Sequence, residues 1–197
     1  KLKSENIIAV DLEHHSFPSY TGLVSLIQIS SSTEDFLIDP ILLREALQSP
    51  ELSLNSVLAD PKILKIFHGA ESDIAWLQRD FDTLVVNMFD SFHAAKVLNL
   101  PRMSLAYLLE TFCGVELDKK YQLADWRERP IPEEMVEYAR KDTHYLVHLY
   151  FILKGKLTES QFEQVLQKSN KQCLEAYAPD NINERSWKVV LDRSNYP

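Results

Sequence analysis

Residues 7–10, Ile-Ile-Ala-Val, form an apolar, largely β-branched run that continues through Asp11, Leu12 and Glu13. This pattern predicts a first strand over 7–13. After Gly22, residues 23–29 alternate apolar and polar positions, the period of a half-buried strand. Residues 36–39 make a third, short strand that Pro40 ends, and the short links imply an antiparallel meander. Helical segments follow at about 41–48 and 51–58, closed by Asp60-Pro61. A fourth strand is expected at 62–67, ending at His68-Gly69, and a helix then starts at Glu71 or Ser72 and runs through Leu77. A fifth strand over 85–89 precedes helices at about 91–98 and 103–112. Strands that alternate with helices need crossover connections and so pair in parallel. Residues 113–131 read as irregular, with Gly114 and Pro130 as breakers. One long helix is expected over 132–154, with Pro132 suited to its first turn, and another over 158–176. Residues 179–197 are polar and turn-rich, the composition of a linker. The expected class is α/β.

The 197 residues carry 45% hydrophobic and 25% charged side chains, the balance of a globular domain able to bury a core. No run is apolar enough to span a bilayer, so no membrane association is expected. Two cysteines, Cys113 and Cys173, make neither a disulfide framework nor a zinc spacing, which points to an intracellular setting. The net charge of −8 argues against a generic nucleic-acid binder, whose affinity comes from Lys and Arg on phosphates. That objection weakens if the acids gather around cations, because four carboxylates facing two divalent ions sum to zero.

Several acids stand where packing alone would not put them. Asp11 and Glu13, two apart on a strand, share one face, while Val10 and Leu12 share the other. Two like charges at ~4 Å repel by about 4 kcal/mol at an effective dielectric near 20, so a compensating cation is expected unless these are solvated strand-end or capping acids. Asp142 falls within the apolar stripe of Met135, Ala139, Leu146, Leu149 and Leu153, with Tyr138 one turn before it. A buried acid there must coordinate a metal or be satisfied by Arg127, Arg129 or Arg140. Asp73 follows the end of the fourth strand, the edge where open α/β sheets bind ligands, although acids are also common in a helix's first turn. Glu71 reads as a surface acid, and His68 as a hydrogen-bonded structural residue. Trp76, His14, His15 and Lys119 each have an ordinary structural reading beside a functional one. The segment from Asp125 to Arg127 reads as an anchor for the irregular stretch.

Taken together, these segments resemble the DEDD exonuclease superfamily in its tyrosine-bearing subgroup, close to the nuclear-exosome-associated exoribonucleases and ribonuclease D. The resemblance rests on Val10 to Ser16, Gly22 to Ser30, His68 to Leu77, Tyr121 to Arg127 with Arg129-Pro130, and Tyr138 to Leu146. It covers roughly residues 5–155.

The resemblance implies a ribonuclease-H-like fold: a mixed five-stranded sheet, three antiparallel then two parallel strands, with helices on both faces. It implies an exonuclease domain over 1–155. Residues 156–197 would then be a C-terminal helix and linker toward a helical nucleic-acid-binding domain absent from these 197 residues. Asp11, Glu13, Asp73 and Asp142 become ligands of two divalent cations, Mg²⁺ or Mn²⁺, with Asp11 bridging, and Tyr138 orients the attacking water. His14, Trp76 and Lys119 match positions that contact the terminal nucleotide. The implied activity is 3′→5′ hydrolysis of single-stranded RNA from its 3′-hydroxyl end, releasing nucleoside 5′-monophosphates, in nuclear RNA processing and decay. The implied partners are the RNA exosome core and its cofactor proteins, met through regions outside this chain. The implied location is the nucleolus and nucleoplasm. The alternatives are a DNA 3′→5′ exonuclease of the same fold and a non-catalytic nucleic-acid-binding module.

Overall fold

The computed structural model describes residues 1–16, 21–47, 49 and 52–179, the side chain of Lys119 excepted. Five strands form one sheet: β1 (Ile7–His15), β2 (Leu23–Ser30), β3 (Asp35–Ile38), β4 (Leu64–Phe67) and β5 (Met88–Asp90). Their spatial order is β3-β2-β1-β4-β5. The β1/β2 and β2/β3 pairs are antiparallel, and the β1/β4 and β4/β5 pairs are parallel, as the pattern of links predicts.

Alternation along the strands sorts the side chains onto two faces. Ile8, Val10, Leu12, Ile27 and Ile29 pack with the helical turns α1 (Arg44–Leu47) and α2 (Asn55–Leu58) and with helix α3 (Glu71–Phe81). Ala9, Ile66 and Phe89 face the other way. There they meet α4 (Ser91–Val97), α5 (Leu105–Cys113), α7 (Leu146–Lys156) and α8 (Glu159–Cys173). A third cluster joins Leu26 of β2 to Met135, Tyr138 and Ala139 of α6 (Glu133–His144) and to Trp126. Helices therefore cover both faces, with the apolar residues of β1 and β4 at the centre.

Three expectations change in detail. The fifth strand is Met88–Asp90 rather than 85–89, because Asn87 takes a left-handed φ of 58° that interrupts extended backbone. The long helix of 132–154 is two helices meeting at Tyr145, so α6 follows β2 and β3 while α7 follows β1 and β4 across the sheet's twist. The segments near 41–48 and 51–58 are single turns, and residues 48, 50 and 51 lie outside the described residues, as does the tail from 180. Helix α8 packs against β5 and α4. A capping box of Thr158 and Gln161 opens this helix. Ser169 Oγ accepts the Asp90 amide at 2.9 Å and Asn170 Oδ1 accepts the Met88 amide at 3.1 Å. Helix α8 thus covers the edge of β5, which would otherwise present open strand donors.

Phe89 is fully buried, with Tyr150 edge-on at 4.9 Å and Phe162 of α8 at 5.9 Å. Phe89→Ala is expected to cost about 3–5 kcal/mol of unfolding free energy in urea titrations. Leu123→Ala, at a side chain 98% exposed, is expected to stay within about 0.5 kcal/mol.

Candidate active site

The carboxyl ends of β1 and β4 lie side by side, and the acids collect there. Asp11 and Glu13 project from β1 on the face that Ala9 begins. Asp142 reaches the same place from the last turns of α6, 4% exposed. One carboxylate oxygen from each of Asp11, Glu13 and Asp142 lies within 4.8 Å of the other two. These three and Tyr138 line one cleft of about 500 Å³, whose opposite wall is the start of α5, Leu117 and Gln122. Asp73 lies in the first turn of α3, 7% exposed and outside this trio. Its charge nevertheless acts on Glu13 and is acted on by Asp11.

The arginines that were candidate partners for Asp142 are engaged elsewhere. Arg127 pairs with Asp125 at 2.7 Å, Arg129 Nη2 donates to Asp39 at 2.9 Å, and Arg140 pairs with Asp35 and Glu137 at 3.1 Å each. The acids of the cleft therefore face one another without a cation from the described residues. Burial, opposed by the Leu12 backbone amide, pushes Asp11 up to about 7. Burial and then the charges of Asp11, Asp142 and Asp73 push Glu13 up to about 10. Burial and the charge of Asp11 push Asp142 up to about 8, against the contact with the Tyr138 hydroxyl. Asp73 is raised well above the ordinary carboxylate range by burial and by Asp11. Burial first, then Asp142, Glu13 and Asp11, also raise the Tyr138 phenol, so it stays protonated and acts as a donor. An all-oxygen, charge-dense set of this kind suits a hard divalent cation.

Two of the three expected substrate contacts, His14 and Trp76, have described side chains. His14 and Trp76 stack on each other, ring centroids 4.1 Å apart and planes within 5°. Neither is among the residues lining the carboxylate cleft. Arg79 Nη2 lies 3.3 Å from His14 Nε2, and burial with this guanidinium lowers the His14 pKa. Gly22 has a φ of +66°, and a Cβ there would lie 2.2 Å from the His14 ring, so this close approach requires glycine. The Lys119 side chain lies outside the described residues.

Sequence reasoning missed the residues that position the acids. Gln28, paired with Asp11 across β1/β2, donates from Nε2 to Glu13 Oε1 at 3.3 Å. Ser30 Oγ and Thr143 Oγ1 share a buried 2.7 Å hydrogen bond, which pins α6 to β2 beside Asp142. Asp90 accepts the amides of Gly69, Ala70 and Phe92 at 2.8, 3.0 and 2.8 Å, and so shapes the turn that leads to Asp73. The available signal was polar side chains, Gln28 and Ser30, recurring on the face of β2 that also carries Leu26. His68 donates to or accepts from Ser91 Oγ at 2.8 Å, and its side chain also borders the cleft.

A mixed sheet with this strand order and a carboxylate cluster at the ends of its central strands defines a ribonuclease-H-like nuclease. More particularly, the chain belongs to the 3′–5′ exonuclease family, whose model matches residues 1–158. It is 51% identical over 185 residues to "Exosome complex component 10" of Rattus norvegicus, covering 91% of this chain and 20% of that protein. It is 45% identical over 212 residues to "Exosome complex exonuclease RRP6" of Saccharomyces cerevisiae, covering 100% of this chain and 28% of that protein. The chain thus spans between 20% and 28% of the length of these two relatives. The crystal structure of the catalytic core of RRP6 from Trypanosoma brucei superposes with a TM-score of 0.87 at 45% identity, covering 98% of this chain and 53% of that one.

Carboxylates whose folded pKa exceeds the unfolded value favour folding while protonated, and that contribution is lost as pH rises through the folded pKa. For Asp11, Asp142 and Glu13 the window runs from near pH 4 to near pH 10. In EDTA the melting temperature is expected to fall between pH 6 and pH 9. Added Mn²⁺ should restore more of it at pH 9 than at pH 6, because binding the ionised carboxylates releases protons. Thermal unfolding across this range checks both, and a pH-independent response to Mn²⁺ would contradict the arrangement.

Proposed function

We propose that this chain is the catalytic domain of a 3′→5′ exoribonuclease that removes nucleoside 5′-monophosphates from the 3′-hydroxyl end of single-stranded RNA. The observation that carries this reading is the cluster of Asp11, Glu13 and Asp142 sharing one cleft with a protonated Tyr138. Asp11, Glu13 and Asp142, with Asp73 beside them, would hold two divalent cations, Mg²⁺ or Mn²⁺. When bound, such ions supply the positive charge that stabilises the attacking and leaving oxygens of a phosphodiester displacement.

The protein's own groups do the rest. The Tyr138 hydroxyl, which donates to Asp142, accepts a hydrogen bond from the attacking water and so orients it toward phosphorus. The water oxygen forms the new P–O bond, and the bond from phosphorus to the 3′-oxygen of the preceding nucleotide breaks. The attacking water gives up one proton to solvent, and the departing oxygen takes one up from solvent to become the new 3′-hydroxyl. The start of α5 also lines the cleft. The His14/Trp76 stack and Lys119 are assigned to the terminal nucleotide.

The wider setting is proposed from the relatives that bear exosome names. On that reading the enzyme works in nuclear RNA processing and decay, in the nucleolus and nucleoplasm. It would join the exosome core and its cofactor proteins through regions outside these residues. Residues 156–197 would then lead toward a helical nucleic-acid-binding domain.

With Mn²⁺ or Mg²⁺, a 5′-labelled oligoribonucleotide with a free 3′-hydroxyl is expected to shorten stepwise and release 5′-monophosphates. EDTA or a 3′-phosphate should stop it. Asp11→Asn, which keeps the side-chain volume, is expected to lower turnover by at least about 10²–10³-fold while leaving the melting transition cooperative. Faster loss of a matched DNA strand would favour a DNA exonuclease, and no mononucleotide from either strand would leave only a binding module.

A further inference from the structure

Arg79 and Asp80 follow Trp76 on α3, and their side chains are only 13% and 12% exposed. Neighbours on a helix point about 100° apart and do not ordinarily face each other. Here they form a two-pronged pair: Arg79 Nε donates to Asp80 Oδ1 at 2.6 Å, and Nη2 donates to Oδ2 at 2.9 Å. Both side chains turn toward the β1/β2 hairpin. The register of that hairpin slips by one residue between Glu13 and His14, an irregularity that breaks the ladder and re-aims side chains. Asp80 Oδ2 accepts the Val24 amide at the break, at 2.9 Å. Arg79 Nη1 donates to the Thr21 carbonyl, and Nη2 lies 3.3 Å from His14 Nε2. Asp80 also stands in the last turn of α3, where the helix dipole disfavours an acid. All three nitrogens of the guanidinium are therefore spent inside the protein, and its charge is matched by Asp80. What it reaches is the ring that lies flat on Trp76.

We propose that Arg79 and Asp80 are positioning residues of the nuclease: they tie the β1/β2 hairpin to α3 and hold the His14 ring against Trp76, so that the stack meets the terminal nucleotide as one fixed wall. The inference rests on the assignment of this stack to the terminal nucleotide. Side chains left to rotate would lose that freedom when substrate binds, and a stack fixed beforehand does not. The rigid fork of Arg79 is what the arrangement uses. Asp80 takes two of its donors, the Thr21 carbonyl a third, and the His14 ring lies beside Nη2. A lysine ammonium, a point charge on a flexible stem, cannot span these partners together.

The test uses a tetraribonucleotide as substrate and AMP, a base, ribose and 5′-phosphate that fills only the terminal position, as inhibitor. Arg79→Lys is expected to raise KM for the tetranucleotide and the inhibition constant of AMP each roughly tenfold, the scale of one weakened base stack, with kcat within about twofold. His14→Ala should do the same, and the double variant should be no worse than His14→Ala alone, because Arg79 acts through the ring. Asp80→Asn keeps an acceptor for the Val24 amide but loses the second prong, and should give a smaller change in the same direction. The stack is read without chemistry by NMR. The His14 ring protons, identified by their absence in His14→Ala, should lie upfield, shielded by the indole face. Arg79→Lys should abolish that displacement while the other histidines keep their shifts, which a general loss of structure would not produce. Normal KM and AMP inhibition in Arg79→Lys, beside a defective His14→Ala, would overturn the positioning role and leave the nucleotide wall standing. Additive losses in the double variant would overturn it too, since Arg79 would then act on its own. Unchanged KM in His14→Ala would remove the wall, and the proposal with it. Absence of all turnover by the unsubstituted chain would defeat the exoribonuclease reading, and a His14 shift that persists in Arg79→Lys would still overturn the positioning role.

Discussion

Asp11, Glu13 and Asp142 repel one another, and much of the site's character follows from the fold's ability to hold them together. Charges ~4 Å apart repel by about 4 kcal/mol each pair at an effective dielectric near 20. Burial first, and then this repulsion, raises the carboxyls of Glu13 and Asp142 above the ordinary range, and burial does so at Asp11. A site in that condition is matched to an ion that displaces its protons. It also resolves the conflict between an acidic chain and an anionic substrate, because the negative charge at the cleft is the part that cations would neutralise.

Holding such a cluster requires rigid backing and the absence of rescuing cations. The sheet provides the first: Val10 and Leu12 are buried behind the acids, so β1 cannot rotate them into water without exposing the core. The buried Ser30–Thr143 bond fixes the helix that carries Asp142, and Asp90 fixes the turn that precedes Asp73. The second comes from pairing nearby arginines with other acids, Arg127 with Asp125 and Arg129 with Asp39. Had one of these guanidiniums turned inward, it would have neutralised the site and competed with any metal.

The five strands, the antiparallel meander, the parallel pairing of the later strands and the positions of the acids on their elements were legible from local pattern, and the helices on both faces followed from the resemblance. Asp11 and Glu13 stood out because period-two alternation must put them on one face, and Asp142 because an acid interrupted an apolar helical stripe. Less was legible at the ends of elements. Asn87 shortened β5 through a backbone angle that composition does not reveal, and the break at Tyr145 reflects the sheet that α6 and α7 pack upon. The contacts of α8 were not legible, because its sequence does not show that Ser169 and Asn170 satisfy amides of β5.

The sequence by itself determined which residues could not be ordinary core or ordinary surface, since periodicity and side-chain chemistry are local properties. Only the tertiary structure decided that Asp142, 131 positions beyond Asp11, comes within ligand reach of it, that three candidate arginines are spent elsewhere, and that His14 covers one side of Trp76. Distance and charge pairing depend on how separate elements pack, and no pattern within a single element encodes them.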